Sequence, residues 1–468
     1  MQDICAPFAG KKITVMGLGL LGRGVGDAEF IVTCGAKVLV TDKKTEEQLK
    51  ESVERLKRYP NITFHLGGHR IEDFTNCDMV IKAAGVPLDS PEIAAAKKAG
   101  VPVYMSTALF AKYAAEAGAT IVGVTGTRGK TTVTSMIHHS LISAFAKASA
   151  DKRAHHDVFL GGNVRGLSTL AMLPEIQKGD ICVLELDSWQ LQGFGDLQIS
   201  PHIAVFTNLF QDHMNYYRDD MEKYFADKAN IFKFQKSGDT FIVGNGLKAR
   251  LKAVPTVPSG PLFPPALLTG WTLKVPGEHN RENAALAAAA LRVLGLSDDE
   301  IRIGLESFEP VEGRLQFVRE VRGVKIYNDN NATTPEATIA ALHALSGLTK
   351  SRQIGEVGLR KSNIVLIMGG DDKKLDMSKL VEEIPKRCSK VVLFKERGTD
   401  CIRDEIFALQ PAVEVYEEEG LKATVERAFA VAKPGETILY SPAFSSFGQY
   451  FKNEFDRGDQ FMSLVKDL

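Results

Sequence analysis

Two glycine-rich turns constrain this chain more than any other feature. Each is entered from a short apolar run and left into a helical pattern: KITVMGLGLLG at 12–22 and ATIVGVTGTRGKTT at 119–132. A strand feeding a helix through a tight glycine turn begins a βα unit, and such units in series build a parallel sheet with helices on its faces. The remaining apolar runs keep that rhythm. In the first part, strands are predicted at 36–42, 78–85 and 101–105, with a helical pattern at 46–59. In the second, strands are predicted at 180–187, 203–209 and 240–245, with a surface loop at 146–157, a proline-rich irregular stretch at 254–270 and a closing helix at 280–295. After a turn at 308–314, a third part has strands at 324–330, 363–370, 390–395 and 437–442. For 468 residues, three domains of about 150 residues are the natural division. The expectation is an α/β chain with a Rossmann-like domain at 1–105, a central P-loop-type ATPase domain at 106–312 and a C-terminal Rossmann-like domain at 313–468.

The two loops point to phosphate in different ways. GLGLLG at 17–22 fits G-x-G-x-x-G, and Asp42 follows Gly22 by twenty residues, the dinucleotide fingerprint in its proper strand-turn-helix setting. It is compatible with a nicotinamide or flavin enzyme, with a substrate carrying a nucleotide diphosphate, or with a plain βα turn that needs glycine for packing. The second loop departs from the strict P-loop, which wants glycine where Val124 stands. Its shorter core Gly126-Thr127-Arg128-Gly129-Lys130-Thr131 keeps the physics. Backbone N–H groups can surround phosphate oxygens, Lys130 can reach the outer phosphates of a nucleotide and Thr131 can ligate Mg²⁺.

Composition narrows the partners. A net charge of −1 offers no basic excess to neutralise a phosphate backbone, so nucleic acid is not an expected partner. No run of about 18 apolar residues occurs, so no membrane insertion is expected. The N-terminal MQDICAPFAGKK lacks the pattern of a signal peptide. Six scattered cysteines without a C-x-x-C pair fit reduced thiols in a cytoplasmic protein better than a disulfide scaffold or a zinc site.

From the second loop onward the motifs resemble, in order and over nearly the whole chain, those of the Mur ligases, the ATP-dependent enzymes of peptidoglycan precursor synthesis. The G-T-x-G-K-T loop is that family's form. ELDSWQL at 185–191, TNLFQDHMNYY at 207–217, YFADKANIF at 224–232, GEHNRENAA at 277–285, YNDNNATTPEAT at 327–338, MGGDDKKLD at 368–376 and NEFDRGDQF at 453–461 follow it. Within the family, the compact first domain and the C-terminal pattern are most similar to the branch that adds D-glutamate.

The resemblance implies a reaction. ATP would activate the carboxylate of UDP-N-acetylmuramoyl-L-alanine as an acyl phosphate, and the amine of D-glutamate would displace phosphate. It also implies roles. Gly126, Thr127, Arg128, Gly129, Lys130, Thr131 and Thr132 would hold ATP phosphates, Asn283 the adenine, Arg314 a phosphate, and Asp329 and Asp371 the ribose. Mg²⁺ would be held by Thr131, Glu185, His213 and Lys228, the last as a carbamate; Lys130, Glu185, His213 and Lys228 would form the catalytic set. Gly19, Leu20, Leu21, Asp42, Gly85, Asn163 and His213 would serve the UDP substrate. Thr333, Lys373, Ser446 and Phe455 would bind D-glutamate. Three departures from the family pattern stand out: Asp187 replaces a serine, Asn215 an acid, and Asn331 a lysine. A monomer is expected. The rival expectations are a sister ligase adding another amino acid, or an NAD-dependent oxidoreductase, which would leave residues 126–131 and His213 unexplained.

Overall fold

The computed structural model describes residues 4–18, 22–87, 89–148, 156–251, 261–264, 268, 270–348, 363–446 and 448–468. They pack as two compact units, Met1–Leu267 with Ala284–Leu305, and Leu268–Asn283 with Glu306–Leu468. The helix Glu278–Val293 therefore contributes its first turns to one unit and the rest to the other.

The first unit holds two parallel sheets. Strands β1 Lys12–Met16, β2 Lys37–Asp42, β3 Ile62–Leu66, β4 Met79–Lys82 and β5 Val103–Tyr104 stand in the order β3-β2-β1-β4-β5. Strands β6 Thr120–Thr125, β7 Val158–Gly162, β8 Ile181–Glu185, β9 Ile203–Phe206, β10 Thr240–Val243 and β11 Pro261–Leu262 stand in the order β11-β10-β9-β6-β8-β7. In the first sheet the order reverses between β1 and β4. In the second, β6 is flanked by β8 on one side and β9 on the other. Ligands of doubly wound sheets bind at such reversals, beyond the carboxyl ends of the strands.

Strands β8 and β9 are buried at every position. That is why they read as unbroken apolar runs, as strands covered on both faces do. A single core runs through both sheets of this unit: Ile13, Val15 and Val40 from the first, Ile121, Leu184 and Phe206 from the second. It is joined by Ala108, Leu109 and Phe110 of helix Ser106–Glu116. Each large side chain sealed there contributes about 1.5–3 kcal/mol.

The second unit has one six-stranded sheet in the order β12-β13-β17-β14-β15-β16, from β12 Gln316–Val321, β13 Val324–Asn328, β14 Ile364–Met368, β15 Cys388–Phe394, β16 Glu414–Glu418 and β17 Thr437–Tyr440. Only β12 pairs antiparallel. Helices Pro335–Leu348 and Ser378–Arg387 cover one face of this sheet, and Leu421–Val431 and Glu454–Lys466 the other.

Every strand expected from the sequence is present, and β3, β7, β11, β12 and β16 add to them. The expected helix at 46–59 is a turn followed by Lys50–Leu56. Much of the proline-rich stretch at 254–270, and part of the loop at 146–157, lie outside the described residues.

The cysteine expectation is corrected. Cys5 and Cys34 form a disulfide across 29 residues of sequence. Residues 5–10 fold back on the end of helix Arg23–Thr33, with Phe8 edge-on to Phe30 at 5.6 Å and Gly10 N–H donating to Gly35 O at 3.1 Å. The pair is a product of that tertiary contact, which spacing rules cannot register. Among the described residues Cys77, Cys182, Cys388 and Cys401 are free thiols, as expected. No helix among them is long and apolar enough to cross a membrane.

Candidate active site

The loop after β6 is built around Gly126 and Gly129, with φ of 146° and 80°. A β-carbon on Gly126 would lie 1.9 Å from Thr207 Oγ1, so only glycine fits the contact with the loop after β9. The two loops are then laced together. Thr127 N–H donates to Asn208 O at 3.0 Å and Arg128 N–H to Asn208 Oδ1 at 2.8 Å, while Thr207 Oγ1 donates to Arg128 O. The N–H groups of Thr127 and Arg128 thus shape the loop. The first turn of helix Lys130–Ala148 follows this loop and stands at the positive end of the helix dipole. Thr131 and Thr132 stand in that turn.

Lys130 Nζ reaches back to Gly126 O at 3.1 Å and Thr127 O at 3.2 Å. Lys228 Nζ donates to the same Gly126 carbonyl at 2.9 Å. Lys228 is 1% exposed, its amine 4.8 Å from the centre of the Tyr224 ring. Burial, and then the Lys130 charge, hold its pKa well below the ordinary lysine value. Lys228 is thus no surface lysine, and the two acids closest to it in the motifs, Asp227 and Asp212, are engaged elsewhere. Asp227 accepts from Gln192 Nε2 at 2.8 Å and Tyr217 OH at 2.9 Å, and Arg128 Nη1 donates to Asp212 at 3.1 Å.

Glu185 ends β8 and is buried, directly beside β6 in the sheet, where it pairs with Val124. The Gly161-Gly162-Asn163 turn wraps its backbone. Asn163 N–H donates to Glu185 O at 2.7 Å, and a β-carbon on Gly162 would lie 2.0 Å from that oxygen. Glu185 does not cap the next helix. Asp187 does, in a reciprocal capping box with Gln190, a role that the family's serine would fill equally well. His213, in the left-handed conformation at φ 56°, lies against Trp189 with ring centres 4.7 Å apart, its Nε2 3.8 Å from Asp212 Oδ2.

In the first sheet, Asp42 ends β2 and is occupied by the fold. Its carboxylate accepts Leu18 N–H at 2.8 Å and Lys44 N–H at 2.9 Å, tying the glycine turn to the loop after β2. Gly85 lies in the turn after β4, which begins at buried Lys82, whose Nζ donates to Val86 O at 2.8 Å. Gly19, Leu20 and Leu21 lie outside the described residues.

The second unit gathers the other expected residues at the carboxyl ends of its strands and at the start of Glu278–Val293. Asn283 Nδ2 donates to Asn280 Oδ1 at 3.1 Å. Asp329 is buried, accepting Leu315 N–H at 3.0 Å and Ser441 Oγ at 2.9 Å; burial raises its pKa to about 7. Arg314 Nη1 donates to Asn331 O at 3.4 Å, so Asn331 meets the arginine through its backbone. Lys373 Nζ donates to Thr333 Oγ1 at 3.0 Å, bringing together two residues expected to meet the amino acid. Asp371 pairs with Arg397 and bridges to Ser445. Ser446 follows that bridge, and Phe455 opens helix Glu454–Lys466, its N–H held by Asn453 Oδ1 at 3.0 Å.

Sequence reasoning left out Asn208 and Arg457. Both stand in stretches it singled out, TNLFQDHMNYY and NEFDRGDQF, but their partners are distant in sequence. Arg457 is fully buried, donating to Asn330 Oδ1 and O at 2.8 Å and to Phe444 O at 3.2 Å, and so joins the loops that carry Asp329 and Ser446.

Comparison with known proteins agrees with this arrangement. The MurD-like N-terminal domain of Mur ligases matches residues 11–105, the Mur ligase middle domain 124–256, and the Mur ligase glutamate ligase domain 313–444. A UDP-N-acetylmuramoylalanine–D-glutamate ligase of Roseiflexus sp. (strain RS-1) is 34% identical over 98% of this chain and 99% of its own length. One of Borreliella burgdorferi (strain ZS7) is 31% identical over 97% of both chains. Among solved structures, the UDP-N-acetylmuramate-alanine ligase MurC of Thermotoga maritima superposes with a TM-score of 0.60 at 20% identity, covering 98% of this chain and 99% of its own. The MurF ligase of the same organism, in complex with ADP, gives 0.57 at 16% identity, covering 100% and 99%. At those identities the structures speak for the fold, while the sequence relatives, matched nearly end to end, establish that the chain belongs to the Mur ligase family.

Proposed function

We propose that this chain joins the amine of D-glutamate to the carboxylate of UDP-N-acetylmuramoyl-L-alanine, converting ATP to ADP and phosphate, as a step of peptidoglycan precursor synthesis. The observation that carries this is the near full-length identity to ligases of that name, 34% for the Roseiflexus protein. The two laced loops beyond β6 and β9, with buried Lys228 against them, supply a site suited to phosphoryl transfer.

In this reading a carboxylate oxygen of the UDP substrate attacks the γ-phosphorus and ADP leaves. The glutamate amine then adds to the acyl carbon, phosphate departs, and the amine loses its proton. No protein nucleophile is required. Lys130 and the first turn of helix Lys130–Ala148 neutralise charge on the phosphoryl oxygens. Thr127, Arg128, Gly126 and Gly129 hold the loop in shape for them.

Among the described residues no three His, Cys, Asp or Glu side chains gather as a metal site. The expected donors, a threonine hydroxyl, a carboxylate, an imidazole and a carbamate, are mostly hard oxygens of the kind that suit Mg²⁺. Thr131 and Glu185 are the oxygens on offer, with His213 and a carbamate on Lys228 beside a second ion. When bound, Mg²⁺ supplies further neutralisation of phosphate charge.

Asn283, Arg314, Asp329 and Asp371 serve the nucleotide in this assignment, Asp42, Gly85, Asn163 and the glycine turn the UDP substrate, and Thr333, Lys373, Ser446 and Phe455 the amino acid. The domain bounds 1–105, 106–312 and 313–468, a monomeric state and a cytoplasmic location belong to the same proposal.

The test is phosphate release from ATP with each UDP-linked muramoyl precursor against a panel of amino acids. Release is expected only with UDP-N-acetylmuramoyl-L-alanine and D-glutamate. Release with another amino acid would make the chain a sister ligase, and NADH turnover without phosphate release would remove the ligase reading altogether.

A further inference from the structure

Glu396 is a buried carboxylate that the reaction, as described, does not use. It follows β15 at the carboxyl edge of the second unit's sheet and is 6% exposed. Its Oε1 accepts Gln449 N–H at 2.8 Å, and its Oε2 has no hydrogen-bond partner among the described residues. The chain passes so closely over it that a β-carbon on Gly448 would lie 1.5 Å from Oε1. A carboxylate is costly to bury, and its place here, beside a cavity it shares with Lys395, Asp400, Glu419 and Gln449, calls for a reason.

The reason lies in what Gln449 belongs to. Ser445 and Ser446 follow β17, and Gly448 and Gln449 lead toward the helix carrying Phe455; Phe447 lies outside the described residues. The segment is pinned at two points. At its start Ser445 and Asp371 exchange backbone hydrogen bonds at 3.0 Å, with Gly370 packed so tightly that a β-carbon would lie 2.5 Å from Ser445 O. At its end the anchor is the Glu396 carboxylate. The first anchor is main chain to main chain and the second depends on one side chain. Of the charged groups around Glu396, Arg397 pairs with Asp371 and Arg457 donates to Asn330 and Phe444, while Lys395, Asp400 and Glu419 line the same cavity.

We infer that Glu396 is a positioning residue for the incoming amino acid: by holding Gln449 beneath Gly448 it fixes the segment that presents Ser446. This rests on the assignment of Ser446, Phe455, Lys373 and Thr333 to the glutamate site. Asp371 is held to Ser445 by main-chain hydrogen bonds that do not involve Glu396, so losing Glu396 falls on affinity for the amino acid rather than on ATP or the UDP substrate.

The test is steady-state kinetics of the full chain, varying each substrate in turn. Glu396→Ala should raise KM for D-glutamate on the order of 10–100-fold, the scale of an ångström-sized misplacement, with KM for ATP and for the UDP substrate within about twofold of wild type. Glu396→Gln retains a carbonyl oxygen for the Gln449 N–H and should recover most of the loss. Gly448→Ala, which displaces the carboxylate without altering it, should reproduce the defect even if Glu396→Ala does not fold. An unchanged KM for D-glutamate in Glu396→Ala or Gly448→Ala overturns the inference, as does an equal rise in all three constants, or a Glu396→Gln enzyme as impaired as Glu396→Ala. If wild type itself gives no D-glutamate-dependent phosphate release, the assignment of function fails first and is recognised before any variant is made.

Discussion

Substituting Gly126 by alanine is the sharpest structural probe of the phosphate loop. The new β-carbon would meet Thr207 Oγ1 at 1.9 Å and the Asn208 backbone at 3.1 Å, at a φ of 146° that side-chain-bearing residues rarely adopt. Neither neighbour is the loose end of a long side chain, so the loops after β6 and β9 must separate. The strain costs about 1–3 kcal/mol. The three hydrogen bonds joining the loops, from Thr127 N–H, Arg128 N–H and Thr207 Oγ1, are lost at about 1 kcal/mol each. The sum, about 4–6 kcal/mol, is a large fraction of the roughly 5–15 kcal/mol that holds an ordinary domain folded. At roughly 2–4 °C per kcal/mol, melting should fall by about 10 °C or more. Phosphate release should fall at least about 10²-fold if, as proposed, this loop holds the transferring phosphoryl group. The assay is differential scanning fluorimetry paired with phosphate release under an ATP titration. Gly246→Ala, whose β-carbon meets nothing within 4 Å, is the control and should behave as wild type. A Gly126→Ala protein that melts with wild type and turns over ATP normally would refute the interlocking of the two loops.

Lys130→Ala should keep the fold and lose on the order of 10²-fold or more in turnover, seen as phosphate release by a protein of unchanged melting temperature. Lys228→Ala should lose most activity and regain part of it with formate or acetate, which stand in for carbamate oxygens; full activity of the variant in CO₂-depleted buffer would contradict the carbamate. Lys373→Ala should weaken D-glutamate by about 2–5 kcal/mol, the cost of leaving a carboxylate without its cation, with far less effect on KM for ATP. Asp329 gives a pH dependence: its folded pKa of about 7 lies above the ordinary 3.8, so its contribution to stability is complete below about pH 4 and is lost as pH rises through 7. Each tenfold gain in proton affinity on folding is about 1.4 kcal/mol, so the contribution is a few kcal/mol. Melting should fall between about pH 4 and 7, and Asp329→Asn should flatten that slope.

Much of this architecture could be read directly from the chain, and what escaped did so for identifiable reasons. The interior strands of all three sheets, such as β8 and β9, are covered on both faces and appear as apolar runs. The five strands that were not anticipated, β3, β7, β11, β12 and β16, all stand at sheet edges. An edge strand is half-buried at best. QFVREV and EVYEE alternate or carry charge, and VFLGG ends in the glycines that let Asn163 reach Glu185. The site divides in the same way. Lys130, Lys228, Glu185 and Lys373 belong to short motifs with a local grammar, and they stand beside the loops and strand ends those motifs mark. Asn208, Arg457 and Glu396 act through partners many residues away, as does the disulfide of Cys5 and Cys34. No local pattern announces such a partner.

The central claim is that the carboxylate of the UDP substrate is activated by direct phosphoryl transfer and then captured by D-glutamate. It is tested most directly by labelling that carboxylate with heavy oxygen and following the label through one round of synthesis by mass spectrometry. Attack of a carboxylate oxygen on the γ-phosphorus carries that oxygen into the phosphate released, so one labelled oxygen should appear in phosphate for each amide formed, and only when D-glutamate is present. Amide formation with all of the label left in the product or in water, and none in phosphate, would contradict the account.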